Sequence, residues 1–332
     1  MDNLHFSPVK LRPIPTPRLW GGHRMKSHFG AALVTDPVGE YWLVSAHPQQ
    51  ESVVVGGEYD GWSLSKLTRQ YPDAYLGTSP QPRFPLLIKL IEAEADLSVQ
   101  VHPDDTYAQT HAHDFGKTEA WYILDAPESG RVVYGHHFRD RAHYRRAVAD
   151  GRVAEYIDYR PIHPGDTVYV PAGTLHALLG GTTLIEVQQT SDVTYRVYDW
   201  DRVDASGQPR VLHVEEAADV LTYGATLAPL QAGKVDVQVS GARAEVLLDC
   251  PYFRIERWTQ IAHAQGGSGV VQLPPSSNPT VIIGVSGTGR MLFQESDLGS
   301  VGTGDAWLIP TACREVALAA KDEPWVVLRV TY

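Results

Sequence analysis

The chain is short of three things: cysteine, excess basic charge and long apolar runs. Among its 332 residues only Cys250 and Cys313 are cysteines. Two thiols cannot build the bridged framework of a small secreted domain, and they suit a reducing, cytoplasmic setting. Lysine and arginine total 28 against 39 acidic residues, a formal net charge of −11. A field of that sign repels nucleic acid and anionic membrane surfaces, so neither is expected as a partner. An anionic small molecule would need a local cluster of Lys and Arg working against the global charge. No apolar run approaches the roughly 20 residues that cross a bilayer. The opening Met1-Asp-Asn-Leu-His-Phe6 has no basic stretch leading into an apolar one, so no secretory leader is expected.

Glycine and proline, by contrast, are plentiful at 29 and 23. They punctuate short runs such as Pro85-Leu-Leu-Ile-Lys-Leu-Ile91, Leu97-Ser-Val-Gln-Val-His102, Thr167-Val-Tyr-Val170 and Thr183-Leu-Ile-Glu-Val-Gln188. Strands this short, bounded by turn formers, predict an all-β sandwich or barrel. Helical patterns are few. Leu64, Leu67 and Tyr71 have helical spacing and meet Pro72, residues 139–157 read as an amphipathic insertion, and Thr106 with Gln109 resembles a capping box.

An internal echo organises the rest. Gly165-Asp-Thr-Val-Tyr-Val-Pro171 returns as Gly304-Asp-Ala-Trp-Leu-Ile-Pro310. In each, a Gly-Asp turn launches a short apolar strand that stops at a proline, which has no N–H to give a ladder. Two such units predict two related β-domains, 1–235 and 236–332, with the boundary in the stretch 225–245.

Extended, the first unit reads Gly165, five residues, Pro171-Ala-Gly173, two residues, His176, three residues, Gly180. This resembles the second cupin motif except at its last position, where Gly180 replaces Asn. The fold expected is therefore a pair of cupin jelly-roll β-barrels with a few helical insertions. Gln100 and His102 are two apart on a strand and share a face. Glu119 opens the next strand, in Gly116-Lys-Thr-Glu-Ala-Trp-Tyr-Ile123. Two imidazoles, a carboxylate and an amide suit a borderline divalent ion, with Zn2+, one per chain, the expected cofactor. At the second echo Glu315 takes the place of His176, so that half should lack a metal.

Leu97-Ser-Val-Gln-Val-His-Pro-Asp-Asp105, Gly116-Lys-Thr-Glu-Ala-Trp-Tyr122 and Gln189-Thr-Ser-Asp-Val-Thr-Tyr-Arg-Val-Tyr-Asp199 resemble the signature blocks of type I mannose-6-phosphate isomerases in their short bacterial form. Trp20-Gly21-Gly22 and Gly39-Glu40-Tyr41-Trp42 are similar to N-terminal blocks of that family. The resemblance implies zinc in the first domain, bound by Gln100, His102, Glu119 and His176. It implies aldose–ketose isomerisation of a sugar-phosphate substrate, between mannose 6-phosphate and fructose 6-phosphate, through a cis-enediol. It gives Arg196 the family's catalytic arginine, and Ser98 and Lys117 places lining the sugar-phosphate site. Arg202 is the second basic residue there, and Lys117 is the candidate base, with a zinc-bound hydroxide as the alternative. The rival readings are a different metal-dependent cupin enzyme and a non-catalytic sugar-binding cupin; monomer and homodimer are both compatible with the sequence. His111 and His113 read as exposed loop residues and His136, His137 and His143 as surface residues. For Trp20, Glu40 and Trp42, packing and a buried hydrogen bond suffice.

Overall fold

The structure, a computed structural model, describes residues 6–31, 34–203, 207–224, 235–261 and 269–332. Strands take up 45% of the chain and helices 13%, so it is mostly β, as the turn-punctuated runs predict. It resolves into two compact units. One comprises Met1–Ile14, Trp42–Ile88 and Ala232–Tyr332; the other comprises Pro15–Tyr41 and Lys89–Gln231. Compactness thus divides the chain differently from the contiguous spans 1–235 and 236–332. The reason is strand pairing, since Val9–Leu11 runs antiparallel to Ala306–Ile309 with Val9 opposite Leu308 and Leu11 opposite Ala306. Its other edge pairs with Val54–Val55. Residues 225–234 of the expected boundary stretch lie outside the described residues.

In the first unit a ten-stranded sheet is built around the long strands Thr280–Phe293 and Val316–Thr331. Trp258, Trp307, Trp325, Ile282, Met291 and Leu318 fill its core. The helix Leu64–Gln70 begins at Ser63, whose side chain accepts from Lys66 N–H. Pro72 does more than stop that helix: it opens the short helix Pro72–Tyr75, where a missing N–H costs nothing.

Two further sheets lie mainly in the second unit. One orders Ile157–Pro161, Arg131–His136, His176–Ala177, Val99–Val101 and Tyr195–Tyr198; the other orders Thr167–Val170, Glu119–Asp125, Thr182–Gln189, Leu86–Ala93, Ile14–Gly22 and Val38–Val44. Val132 and Tyr134 of the first, with Leu178 just beyond His176–Ala177, meet Ile91, Trp121, Ile123 and Leu184 of the second in one buried cluster. The first sheet is also covered on its outer face. Val99, Val101, Val133, Ala177 and Val197 pack there against Tyr144 and Ala147 of the helix Arg141–Ala149 and Ala217 and Ala218 of the helix Val214–Val220. The expected insertion 139–157 is therefore that helix followed by the 3-10 turn Val153–Tyr156. A further helix, Asp105–His111, starts earlier than a Thr106 cap would place it, because the Asp104 side chain accepts from Tyr107 N–H.

The two echoed segments fold alike. Gly165 and Gly304 have φ of 88° and 75°, which glycine tolerates without strain. Asp166 and Asp305 each turn a side-chain oxygen back to the N–H three residues earlier, at 2.9 Å in both cases. The strands they launch, Thr167–Val170 and Ala306–Ile309, each join a sheet antiparallel.

The core between the two sheets of the second unit is expected to carry that unit's stability. Leu184→Ala, at a fully buried position, should cost about 2–5 kcal/mol in denaturant unfolding. Leu19→Ala, with its side chain 82% exposed, should stay within about 0.5 kcal/mol. Equal effects would show that this cluster is not the stabilising core.

Candidate metal centre

The alternation of the strand Val99–Val101 sets up the site. Val99 and Val101 face the helices, so Gln100 faces the other sheet, as do its alternate neighbours. The register then aligns three strands: His176 lies directly opposite Gln100 on one side and Arg196 on the other. Directly opposed residues share a face, so His176, Gln100 and Arg196 form a row. Glu119 comes from the facing sheet, on the same side of its strand as Trp121 and Ile123 of the core. Glycine makes the close approach of the loops possible. Gly173 has φ of 84°, donates to the His102 carbonyl at 2.9 Å, and has no room for a Cβ, which would fall 2.4 Å from Thr222 Oγ1.

His102, Glu119 and His176 are buried, and one potential ligand atom from each lies within 4.8 Å of the others. His102 Nδ1 sits 2.9 Å from the Val193 carbonyl, and His176 Nδ1 2.9 Å from the Thr174 carbonyl. A carbonyl only accepts, so both Nδ1 atoms carry the proton and both Nε2 atoms present lone pairs to Glu119. Those Nε2 atoms stand 3.4 Å and 3.3 Å from its two oxygens. Burial, reinforced by Lys117, holds the His102 imidazole well below its ordinary pKa, and burial takes His176 down to about 4. Both rings are neutral at pH 7, the form that binds metal. Gln100 brings its side-chain amide within 3.4 Å of His176 Nε2.

Glu119 Oε1 accepts from the Trp121 indole N–H at 3.0 Å, while Oε2 is buried and accepts no hydrogen bond. The Lys117 ammonium lies 3.0 Å from that oxygen and 3.1 Å from His102 Nε2. Lys117 thus stands in for the charge of a cation, touching atoms a cation would take. Two imidazole lone pairs and a buried carboxylate oxygen that accepts no hydrogen bond fit a divalent metal ion. Among the described residues no second such group occurs.

Behind this group lies a charged network that the sequence reading passed over. The Trp121 indole N–H is shared with Glu186 at 3.3 Å. Lys89, buried, lies 3.7 Å from Glu186, 3.7 Å from Glu40 and 3.4 Å from Asp192. Arg18 in turn grips both oxygens of Glu40. Burial, with Glu119 nearby, pushes the Glu186 carboxyl up to about 7. Burial opposes the charge on Lys89, yet Glu40, Asp192 and Glu186 outweigh it and hold its pKa above the ordinary value. The available signal was a Lys and a Glu inside otherwise apolar runs, 85–91 and 183–188; a charge in a fully buried strand requires a partner.

Of the other residues singled out, Ser98 is buried two positions before Gln100. The Arg196 backbone N–H donates to His213 Nδ1, and its guanidinium donates to the Val211 carbonyl at 2.8 Å. Arg202 does not touch the metal group; it binds Asp199 and the Asp96 carbonyl. His111 ends a helix rather than lying in a loop, and it is exposed, as is His113. His136 and His143 are half-buried against Phe138 rather than on the surface, because the insertion packs back on the sheet. His137 is exposed and pairs with Asp158. Trp20 and Trp42 are buried.

A family model described as phosphomannose isomerase type I, catalytic domain, matches residues 9–143. That span holds Gln100, His102, Lys117 and Glu119 and ends before His176 and Arg196. The mannose-6-phosphate isomerase of Streptococcus mutans serotype c is 39% identical over 274 residues, covering 82% of this chain and 83% of that protein. The probable mannose-6-phosphate isomerase GmuF of Bacillus subtilis is 39% identical over 288 residues, covering 86% and 88%. The crystal structure of mannose 6-phosphate isomerase from Bacillus subtilis superposes with a TM-score of 0.89 at 30% identity, over 98% of this chain and all of that one.

Purified protein is expected to carry one divalent ion per chain. Replacing both imidazoles, His102→Ala with His176→Ala, should release it, because each ligand also holds the others in place. Metal analysis that finds two equivalents, or full retention in the double variant, would contradict the site.

Proposed function

Because the chain belongs to the type I phosphomannose isomerases, we propose that it interconverts mannose 6-phosphate and fructose 6-phosphate through a cis-enediol. In this reading zinc is held by Gln100, His102, Glu119 and His176, one ion per chain. The observation that carries it is the convergence of two neutral imidazoles and Lys117 on one buried carboxylate, with Arg196 one strand away from Gln100. Two nitrogens, a carboxylate and an amide oxygen form a donor set for a borderline ion rather than for calcium or magnesium. The metal would supply Lewis-acid polarisation of the sugar oxygens, favouring loss of a proton from the adjacent carbon.

The remaining tasks fall to the chain. Isomerisation requires one proton to leave C2 and one to arrive at C1, and Lys117 moves it in our reading: as the neutral amine it would take the proton from C2, and as the resulting ammonium it would return one to C1. The Arg196 guanidinium offsets the negative charge that builds on the enediolate oxygens, where a preorganised donor is most effective. Ser98 orients a sugar hydroxyl, and Arg202 attracts the phosphate. The buried walls exclude water, which strengthens each of these interactions. We further read the chain as a pair of cupin barrels, the catalytic one within 1–235 and one without metal ligands in 236–332. Cys250 and Cys313 are both free thiols, consistent with work in the cytoplasm.

The metal-loaded protein should convert mannose 6-phosphate to fructose 6-phosphate and lose that activity to a chelator. Arg196→Ala should fold and keep its metal, with turnover reduced roughly 100- to 1,000-fold. Near-normal turnover would remove Arg196 from catalysis, and loss of metal would make it a structural residue.

A further inference from the structure

Offsetting charge on a reacting sugar requires the Arg196 guanidinium to be held still, yet its strand lies at the edge of its sheet. Tyr195–Tyr198 is a terminal strand of the five-stranded order, and its ladder partner is Val99–Val101. The other side of an edge strand presents backbone N–H and C=O groups that no neighbouring strand satisfies. The register with Val99–Val101 also shifts between Arg196 and Tyr198, so the ladder is interrupted beside the arginine.

One residue, His213, satisfies the open edge at this point. The Arg196 N–H donates to His213 Nδ1 at 3.0 Å, and the His213 N–H donates to the Arg196 carbonyl at 2.8 Å. A further strand would offer one backbone donor and one backbone acceptor here. His213 gives the donor from its backbone and the acceptor from its ring, and so replaces that strand with a single residue. Two positions earlier, the Val211 carbonyl accepts from Arg196 Nη1 at 2.8 Å. The segment Val211-Leu212-His213 thus holds Arg196 at three points, two on its backbone and one on its guanidinium. Arg196 Nε is buried and has no hydrogen-bond partner, which leaves it as a donor for an incoming oxygen.

His213 is itself anchored. It immediately precedes the helix Val214–Val220, to which its side chain makes no cap hydrogen bond, and Ala217 and Ala218 of that helix pack on the outer face of the same sheet. Because a backbone N–H only donates, Nδ1 carries no proton and the ring is the neutral Nε2–H tautomer. Burial and the Arg196 charge hold the imidazole below its ordinary pKa, against the opposing pull of Glu216. The acceptor therefore persists at neutral pH.

We propose that His213 is a positioning residue for Arg196, its imidazole standing in for a strand carbonyl so that the guanidinium is fixed where charge builds on the enediolate oxygens. This rests on the isomerase reading and adds to it the residue that sets the arginine's geometry. His213 acts through Arg196 rather than on the sugar, so its loss should appear in kcat rather than KM.

The test compares metal-loaded wild type with His213→Ala, His213→Asn, Arg196→Ala and the double variant Arg196→Ala with His213→Ala. Metal content and melting temperature confirm that each is folded. For His213→Ala we expect kcat on mannose 6-phosphate to fall roughly 10- to 100-fold while KM changes less than about threefold. His213→Asn should recover most of that loss, because its Oδ1 can accept where Nδ1 did. His213→Gln, whose amide reaches past the Nδ1 position, should behave as His213→Ala does and replaces it if that variant does not fold. With Arg196 already replaced, His213→Ala should cost less than about threefold more, since residues that act as a unit are not additive. A ring that only stabilised the fold would cost the same in both backgrounds. Nitrogen NMR of the histidine rings, with His213 identified by its absence from His213→Asn, should show Nδ1 unprotonated and Nε2 protonated at neutral pH. Given active wild type, near-normal kcat in His213→Ala, an undiminished loss in the Arg196→Ala background or a protonated Nδ1 would overturn the inference and leave the isomerase reading standing. Inactive wild type would overturn the isomerase reading, and with it the catalytic purpose of the clamp, even if the nitrogen spectrum shows the bond.

Discussion

The burial of the Glu119 carboxylate constrains everything around it. A lone ionised carboxylate in a low-dielectric interior is strongly unfavourable, so each of its oxygens must meet positive charge or a donor. Oε1 receives the Trp121 indole N–H. Oε2 receives no hydrogen bond and faces the Lys117 ammonium. Two imidazoles whose lone pairs also point inward would add to the electron-rich surroundings without stabilising them. A divalent cation satisfies all of these groups together, and the Nδ1 contacts to Val193 and Thr174 are what leave the Nε2 atoms free to bind one.

The same constraint propagates outward. Trp121 shares its one N–H between Glu119 and Glu186, and Glu186 in turn faces Lys89, which also serves Glu40 and Asp192. Glu119 and Glu186 are like-signed neighbours bridged by the indole, and from Glu186 outward charge alternates in sign through Lys89 and Glu40 to Arg18 near the surface. A smaller version occurs in the other unit, where Glu256 accepts from the Trp258 indole and from Arg254 and Arg329. There an indole also clasps a carboxylate, and arginine supplies the positive charge that Lys117 supplies beside Glu119.

Much of this was legible in the residue order, and the rest fails for definable reasons. The Gly-Asp turns at 165 and 304 need positive φ and an Asp side chain, and both are visible as letters. So was the shared face of Gln100 and His102, which is a matter of strand period. The row His176–Gln100–Arg196 was not, since register aligns residues distant in sequence and depends on the whole sheet. Nor was the partition of the chain, because the partners of Val9–Leu11 lie about 300 residues later. Lys89 and Glu186 were read as parts of apolar strands, and their charge was the overlooked sign of an internal ion pair. The Asp104 cap was missed because Thr106 offered the better-known spacing.

The central proposal is that the Glu119 group holds a zinc ion through nitrogen and oxygen alone. X-ray absorption at the zinc edge of the purified protein tests it most directly. The account predicts nitrogen and oxygen neighbours at about 2.0–2.2 Å, with the outer-shell scattering of two imidazoles that is lost in His102→Ala with His176→Ala. A sulfur shell near about 2.3 Å, or a spectrum without imidazole scattering, would contradict it.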